Sequence, residues 1–220
     1  MIGLRRLILT PLLLICRPVS TASASTTTGI IDLILSEHQY MRDEYEHFKS
    51  IGDTNELDPR VRQWIAYVSL HGHKEEIAFY PKIESYLKNE KKGGHHLIEH
   101  GIKEHRELET ELKKLAEQPT VQWKQIRKAI EKLSRVSKFF LKRNHSSLLF
   151  SVHHLDEEER DILQPLRSKL DENLQLQLAQ QFVDAGQLAS NEPHPELSKD
   201  PETAPKENIR VGLAEKQKDL

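Results

Sequence analysis

A single cysteine, Cys16, occurs in 220 residues. One thiol excludes an intrachain disulfide framework, a cysteine-ligated zinc site and an iron–sulfur cluster held by the chain's own thiolates. Any metal bound here must be held by nitrogen and oxygen. A dominant charge sign is also lacking, because 32 Lys and Arg stand against 34 Asp and Glu, interspersed along the chain. Nucleic-acid binding needs a basic face that displaces phosphate counterions, so nucleic acid is not an expected partner. No Gly-rich phosphate loop, nucleophile elbow or Ser/His/Asp set occurs, and no alternating strand pattern of useful length.

Long apolar runs are missing as well. The N-terminal run from Leu7 to Cys16 is broken by Thr10 and Pro11 and is about half the roughly 20 residues of a membrane span, so no stable membrane anchor is expected. Up to Ile31 there is no Asp or Glu, while Arg5, Arg6 and Arg17 precede a Ser/Thr stretch. This composition predicts a mitochondrial targeting presequence over residues 1–28, with Arg17-Pro18-Val19-Ser20 as processing site. Ala22-Ser23-Ala24 resembles a signal-peptidase site, which makes secretion the alternative. Either cleavage removes Cys16.

What the chain has in quantity is helical periodicity. The length favours one main domain, and four amphipathic stretches are separated by breaks at Gly52, Gly93-Gly94 and Pro119. The first carries Ile31, Ile34, Leu35, His38, Met41 and Tyr45 on one face. The second carries Leu57, Val61, Trp64, Val68, His71, Glu75 and Ala78, and the third Ile98, Ile102, His105, Leu108, Leu112 and Leu115. The fourth, from Val121 to about Leu170, carries Ile126, Ile130, Leu133 and Phe140, then Asn144, Ser147, Ser151, His154 and Glu158. Each stripe includes one histidine. Four such helices joined by short connections bury their faces as an all-α four-helix bundle over residues 29–172, followed by a helical extension and, from Ser190, a polar tail expected to be disordered.

Residues four apart stack on one helix face, so His71 with Glu75 and His154 with Glu158 each form a chelating half-site. Nitrogen and oxygen donors without thiolate suit iron, manganese or zinc. Spacing alone is weak, since twelve His and 24 Glu yield about one His-x-x-x-Glu pair by chance and six occur. Phase discriminates. His71 and Glu75 continue an apolar stripe, where a carboxylate is costly to bury without a metal or a hydrogen-bonded partner. His95 with Glu99 and His100 with Glu104 fall off the stripe and read as solvated. His47, His73, His95, His96 and His145 read as exposed or loop histidines, and Trp64, Trp123, Tyr45 and Tyr67 as packing residues. A metal centre and a buried His–Glu pair in a plain bundle both satisfy these observations.

Four segments carry a family resemblance. His71-Gly72-His73-Lys74-Glu75-Glu76-Ile77-Ala78-Phe79-Tyr80-Pro81 closely resembles the second-helix motif of the hemerythrin-like HHE cation-binding family. Glu37-His38, Glu104-His105-Arg106-Glu107-Leu108 and His153-His154-Leu155-Asp156-Glu157-Glu158-Glu159 resemble its first, third and fourth helices, in order. The resemblance implies a hemerythrin-like bundle with a diiron centre held by His38, His71, Glu75, His105, His154 and Glu158. Glu109 is an additional candidate, and His153 with Glu157 is the alternative register on the fourth helix. Stepping back from His154 in sevens gives Ser147, Phe140, Leu133 and Ile126, whereas His153 leads to Ser146, Phe139, Lys132 and Gln125, a largely polar face, so His154 is preferred. Gly101 stands one turn before His105, where classical oxygen carriers have a second histidine, which argues against a classical carrier. The implied function is iron binding with dioxygen, peroxide or nitric oxide as the small ligand. A diiron peroxidase- or oxidase-like enzyme and a metal-free helical interaction module are the alternatives.

Overall fold

The structure, a computed structural model, describes residues 28–136 and 151–218, with side chains described over 28–129 and 154–218. Residues 1–27 of the predicted presequence and residues 137–150 of the fourth stretch lie outside the described residues, as does the side chain of His153. Helix α1 is Ile30–Ile51, α2 is Leu57–Lys74, α3 is Tyr80–Ile83, α4 is Gly94–Ala116 and α5 is Trp123–Val136. Then follow α6, Ser151–Glu158, α7, Gln164–Leu166, α8, Glu172–Ala185, and α9, Ala204–Lys218. No strand occurs among the described residues, and no helix there is long and apolar enough to cross a membrane.

The sequence breaks end the helices as the chemistry requires. Gly52, at φ 55°, turns the chain out of α1 while its N–H donates to Phe48 O (3.1 Å). Gly93, at φ 76°, does the same before α4. Two helices are less regular than their periodicity predicts. A π-helical turn, Glu75–Phe79, joins α2 to α3, and another, Glu159–Leu163, joins α6 to α7. Both precede a proline, Pro81 and Pro165, in the first turn of the next piece. Proline cannot donate to the preceding turn and its ring crowds the carbonyl four residues back, so a widened turn there absorbs the mismatch.

Helix α1 packs on α2, α2 on α4, α4 on α6 and α6 on α1, closing a four-membered ring. Two apolar clusters fill it. One contains Ile30, Ile34, Phe79, Ile83, Ile98, Ile102, Ile162 and Leu166, the other Met41, Phe48, Val61, Trp64, Val68, Leu108, Leu112 and Leu155. Helices α1 and α4 run from the first cluster to the second, α2 and α6 from the second to the first. Between the clusters lies a layer of buried His and Glu.

The segment after Ser190 is not the disordered tail its composition predicts. Helix α9 packs on the π turn of α2, and Leu197, Ala204 and Asn208 are buried. A Cβ on Gly212 would lie 2.1 Å from Leu188 O, so the absence of a side chain there lets α9 reach the chain at 188–190. Composition measures apolar area, and this segment is held by buried polar contacts instead: Asn208 Nδ2 donates to Glu76 Oε2 (2.6 Å), Arg106 Nε to Leu197 O (3.3 Å), and His73 Nδ1 to Ser190 O (3.0 Å).

Candidate metal centre

The polar layer brings together the six residues that the motifs single out. His38 comes from α1, His71 from α2, Glu75 from the start of the π turn, His105 from α4, and His154 and Glu158 from α6. All six are buried. They form two groups that share Glu75: His38, His71, Glu75 and Glu158 in one, and Glu75, His105 and His154 in the other, each with ligand atoms within 4.8 Å. Glu75 Oε1 is 3.0 Å from His71 Nε2 and 3.9 Å from His38 Nε2, while Oε2 is 3.3 Å from His105 Nε2. Glu158 Oε2 lies 3.3 Å from His38 Nε2. The Nε2 atoms of His38 and His71 are 3.1 Å apart, and those of His105 and His154 are 2.9 Å apart.

Each imidazole is oriented by a carboxylate behind it. His38 Nδ1 meets Glu159 Oε1 at 2.9 Å and His71 Nδ1 meets Glu37 Oε2 at 2.7 Å. His105 Nδ1 meets Glu76 Oε1 at 2.7 Å and His154 Nδ1 meets Glu104 Oε2 at 2.8 Å. These contacts run in one direction around the bundle. α1 supplies Glu37 to His71 of α2, α2 supplies Glu76 to His105 of α4, α4 supplies Glu104 to His154 of α6, and α6 supplies Glu159 to His38 of α1. Burial opposes ionisation of all four carboxyls, but the hydrogen bonds from their histidines hold each below the ordinary carboxylate range, helped by Lys74 at Glu37, Arg106 at Glu76 and Arg42 at Glu159.

The donor set fits a bound cation. An imidazole that donates Nδ1–H to a carboxylate carries its lone pair on Nε2, so four Nε2 lone pairs and the carboxylates of Glu75 and Glu158 face one another. Both oxygens of Glu75 and both of Glu158 are buried without a hydrogen-bond partner. Without a cation such acceptors repel or must take up protons. Burial pushes His38, His71 and His105 down, but the carboxylates beside them outweigh it, and His105 is held up to about 10 by Glu75 and Glu76. The layer therefore draws positive charge, which metal ions of N,O preference supply.

The remaining candidates fall elsewhere. Glu109 lies outside both groups, 2.6 Å from His73 Nε2 and 2.9 Å from Arg106. Glu157 lies at the surface side, beside His100. His73, expected to be exposed, is fully buried, and so is Glu76; Glu104, expected to be solvated, is buried against His154. Helix phase missed them because their partners sit on other helices. Their signal was adjacency: Glu37, Glu76, Glu104 and Glu159 are each next in sequence to a ligand-type residue. On α1 and α4 the carboxylate precedes that residue, and on the oppositely directed α2 and α6 it follows. Reversing a helix reverses the sense of its 100° step, so both arrangements aim the carboxylate at the next helix around the ring.

A cavity of about 20 Å³ opens beside His154, Glu158 and Glu104, lined also by Tyr80, His100 and Gly101. This volume accommodates about one water-sized molecule. Tyr80 stacks on the His105 ring, with centroids 5.7 Å apart, and its buried hydroxyl has no hydrogen-bond partner. A Cβ at Gly101 would lie 3.0 Å from that hydroxyl, so glycine makes room for the phenol. On the other side, Phe182 of α8 lies 6.0 Å from the His71 ring and beneath Lys74 Nζ, which is 4.1 Å from its centroid.

Comparison with known proteins agrees with this geometry. An uncharacterized hemerythrin-like protein of Schizosaccharomyces pombe is 26% identical over 174 residues, 79% of this chain and 77% of the relative. No solved structure gives a significant match. The model of the hemerythrin HHE cation binding domain matches residues 29–166, from the start of α1 to the end of α7 and including all six inward-facing residues. The chain belongs to the hemerythrin HHE cation-binding domain family.

Proposed function

We propose that the chain is a non-heme diiron protein of mitochondria that binds dioxygen, peroxide or nitric oxide. The observation that carries the reading is the convergence of four Nε2 atoms and two unpartnered carboxylates in a buried layer, each imidazole backed by its own carboxylate. His38, His71 and Glu158 would help to hold one iron and His105 and His154 the other, with Glu75, whose Oε1 faces the first group and Oε2 the second, contributing to both. When bound, a diiron pair supplies the redox change that lets a small oxidant be taken up. The chain itself supplies orientation through the Nδ1 carboxylates, exclusion of water by the two apolar clusters, and a cavity that admits only a small molecule. Nitrogen and oxygen donors also accommodate manganese or zinc.

Metal analysis and an optical spectrum of the chain purified from iron-replete cells test this reading. About two irons per chain are expected from the two ligand groups. A folded chain without stoichiometric metal would establish the metal-free helical module instead. Turnover is a second reading, favoured by the phenol of Tyr80 at the cavity. An iron-loaded chain that consumes peroxide catalytically, beyond one equivalent, would select it. The mitochondrial assignment rests on the Arg-rich, acid-free composition of residues 1–28. It is checked by fusing them to a reporter, where changing Arg5 and Arg6 should abolish import.

A further inference from the structure

A third group of ligand-type side chains lies outside the centre: His100 and Glu104 of α4 with Glu157 of α6, ligand atoms within 4.8 Å of one another. His100 Nε2 is 3.6 Å from Glu104 Oε1 and 3.4 Å from Glu157 Oε2. Their side chains grade inward, from His100 at 42% exposure to Glu157 at 15% and Glu104 at 11%. The same three residues line the cavity whose inner wall is His154, Glu158 and Tyr80. There the oxygens of Glu158 and the hydroxyl of Tyr80 are buried and unpartnered, so the cavity ends on polar atoms that point to a ligand. Glu104 joins the two ends, with one oxygen on His154 Nδ1 and the other toward His100.

We propose that His100, Glu104 and Glu157 form a transit site that captures a divalent cation, Fe²⁺ in the first instance, and passes it through the cavity to the inner ligands. This inference rests on the metal-centre reading above. A hydrated ion loses its water at great cost when it enters a buried layer in one step. A half-exposed site of one imidazole and two carboxylates lets it exchange water for protein donors in stages, and two carboxylates match its charge. Both basic groups at the mouth are paired with carboxylates: Lys92 with Asp161 (2.9 Å), and Arg160 with Asp161 (2.7 Å) and Glu157 (3.4 Å). The opposite side of the centre is covered by Phe182 of α8 and Asn208 of α9.

The test is kinetic and uses the full chain. Metal-free protein is mixed anaerobically with Fe²⁺, and bound iron is counted after quenching with a chelator at successive times. Combined His100→Ala and Glu157→Gln should slow filling about tenfold, the scale on which local charge raises capture rates, while final iron content equals that of the parent. Glu46→Gln, an exposed carboxylate paired with Lys49 on α1, should fill at the parental rate. An unchanged rate in the double variant overturns the proposal, as does equal slowing by Glu46→Gln. A lowered final content also overturns it, by making these residues part of the centre. A parent that takes up no iron sinks the centre reading and the transit site with it, whereas a parent that fills alongside equally fast variants sinks the transit site alone.

Discussion

At the residue scale, the shared position of Glu75 separates it from every other residue of the layer. Glu158→Ala removes a donor from one group and leaves Glu75, His105 and His154 together. Glu75→Ala strips both groups at once. The expected metal content, by elemental analysis, is about one per chain for the first and near zero for the second. Equal losses would contradict a share of Glu75 in both groups. The carboxylates behind the imidazoles predict a smaller, graded effect. Glu37→Gln and Glu104→Gln leave the inner ligands in place but weaken the hold on His71 and His154, so metal affinity should fall about 10–100-fold in a competition titration with a chelator. Unaltered affinity would mean that packing alone orients these rings.

At the element scale, α9 is tied to the centre through one side chain. Asn208 donates to Glu76, which also receives Arg106 and holds His105. A hydrogen bond to a charged acceptor contributes about 1.5–3 kcal/mol, which in a chain of this size corresponds to about 3–12 °C in Tm. Asn208→Ala should lower Tm by that amount and speed metal release, because Glu76 loses one of the partners that fix it. Gly212→Val should act similarly by driving α9 off the backbone at 188–190, where its side chain would collide. Thermal melts and chelator-release rates that match the parent for both variants would show α9 to be dispensable to the centre. Because Glu76 steps about 100° around the helix from Glu75, it reaches His105 and Asn208 at once, which is why this coupling exists.

At the scale of the whole molecule, a charged layer lies between two apolar clusters, and the two respond differently to metal removal. The clusters bury aliphatic and aromatic side chains from all four ring helices and do not depend on metal. The layer does, since its unpartnered carboxylates and facing imidazoles are left uncompensated. Removing the metal should therefore preserve the helical far-ultraviolet signal at 25 °C while lowering Tm by about 6–16 °C, from about 3–4 kcal/mol of linkage for metal at several hundred times its Kd. Loss of helical signal at 25 °C on chelation would show that the clusters alone are insufficient.

The sequence by itself determined the main helices of the bundle, the breaks between them and the inward stripe. Gly52, Gly93 and Pro119 act locally, and the 3.6-residue period places His38, His71, Glu75 and His105 in line with Ile34, Val68, Ala78 and Ile102 whatever lies opposite. The ordered motifs added His154 and Glu158, and with them the family. Tertiary structure alone decided what surrounds those six residues. Glu37, Glu76, Glu104 and Glu159 acquire their roles only when the neighbouring helix arrives, since each reaches across to a histidine that is not its own. His73 and Glu76 look exposed on an isolated helix because the surface that buries them comes from residues 190–208, whose composition offers few apolar anchors. The docking of that segment through Asn208, Ser190 and Leu197 depends on hydrogen-bond partners distant in the chain. Periodicity reads which way a side chain points, whereas a polar contact between distant segments exists only once both are in place.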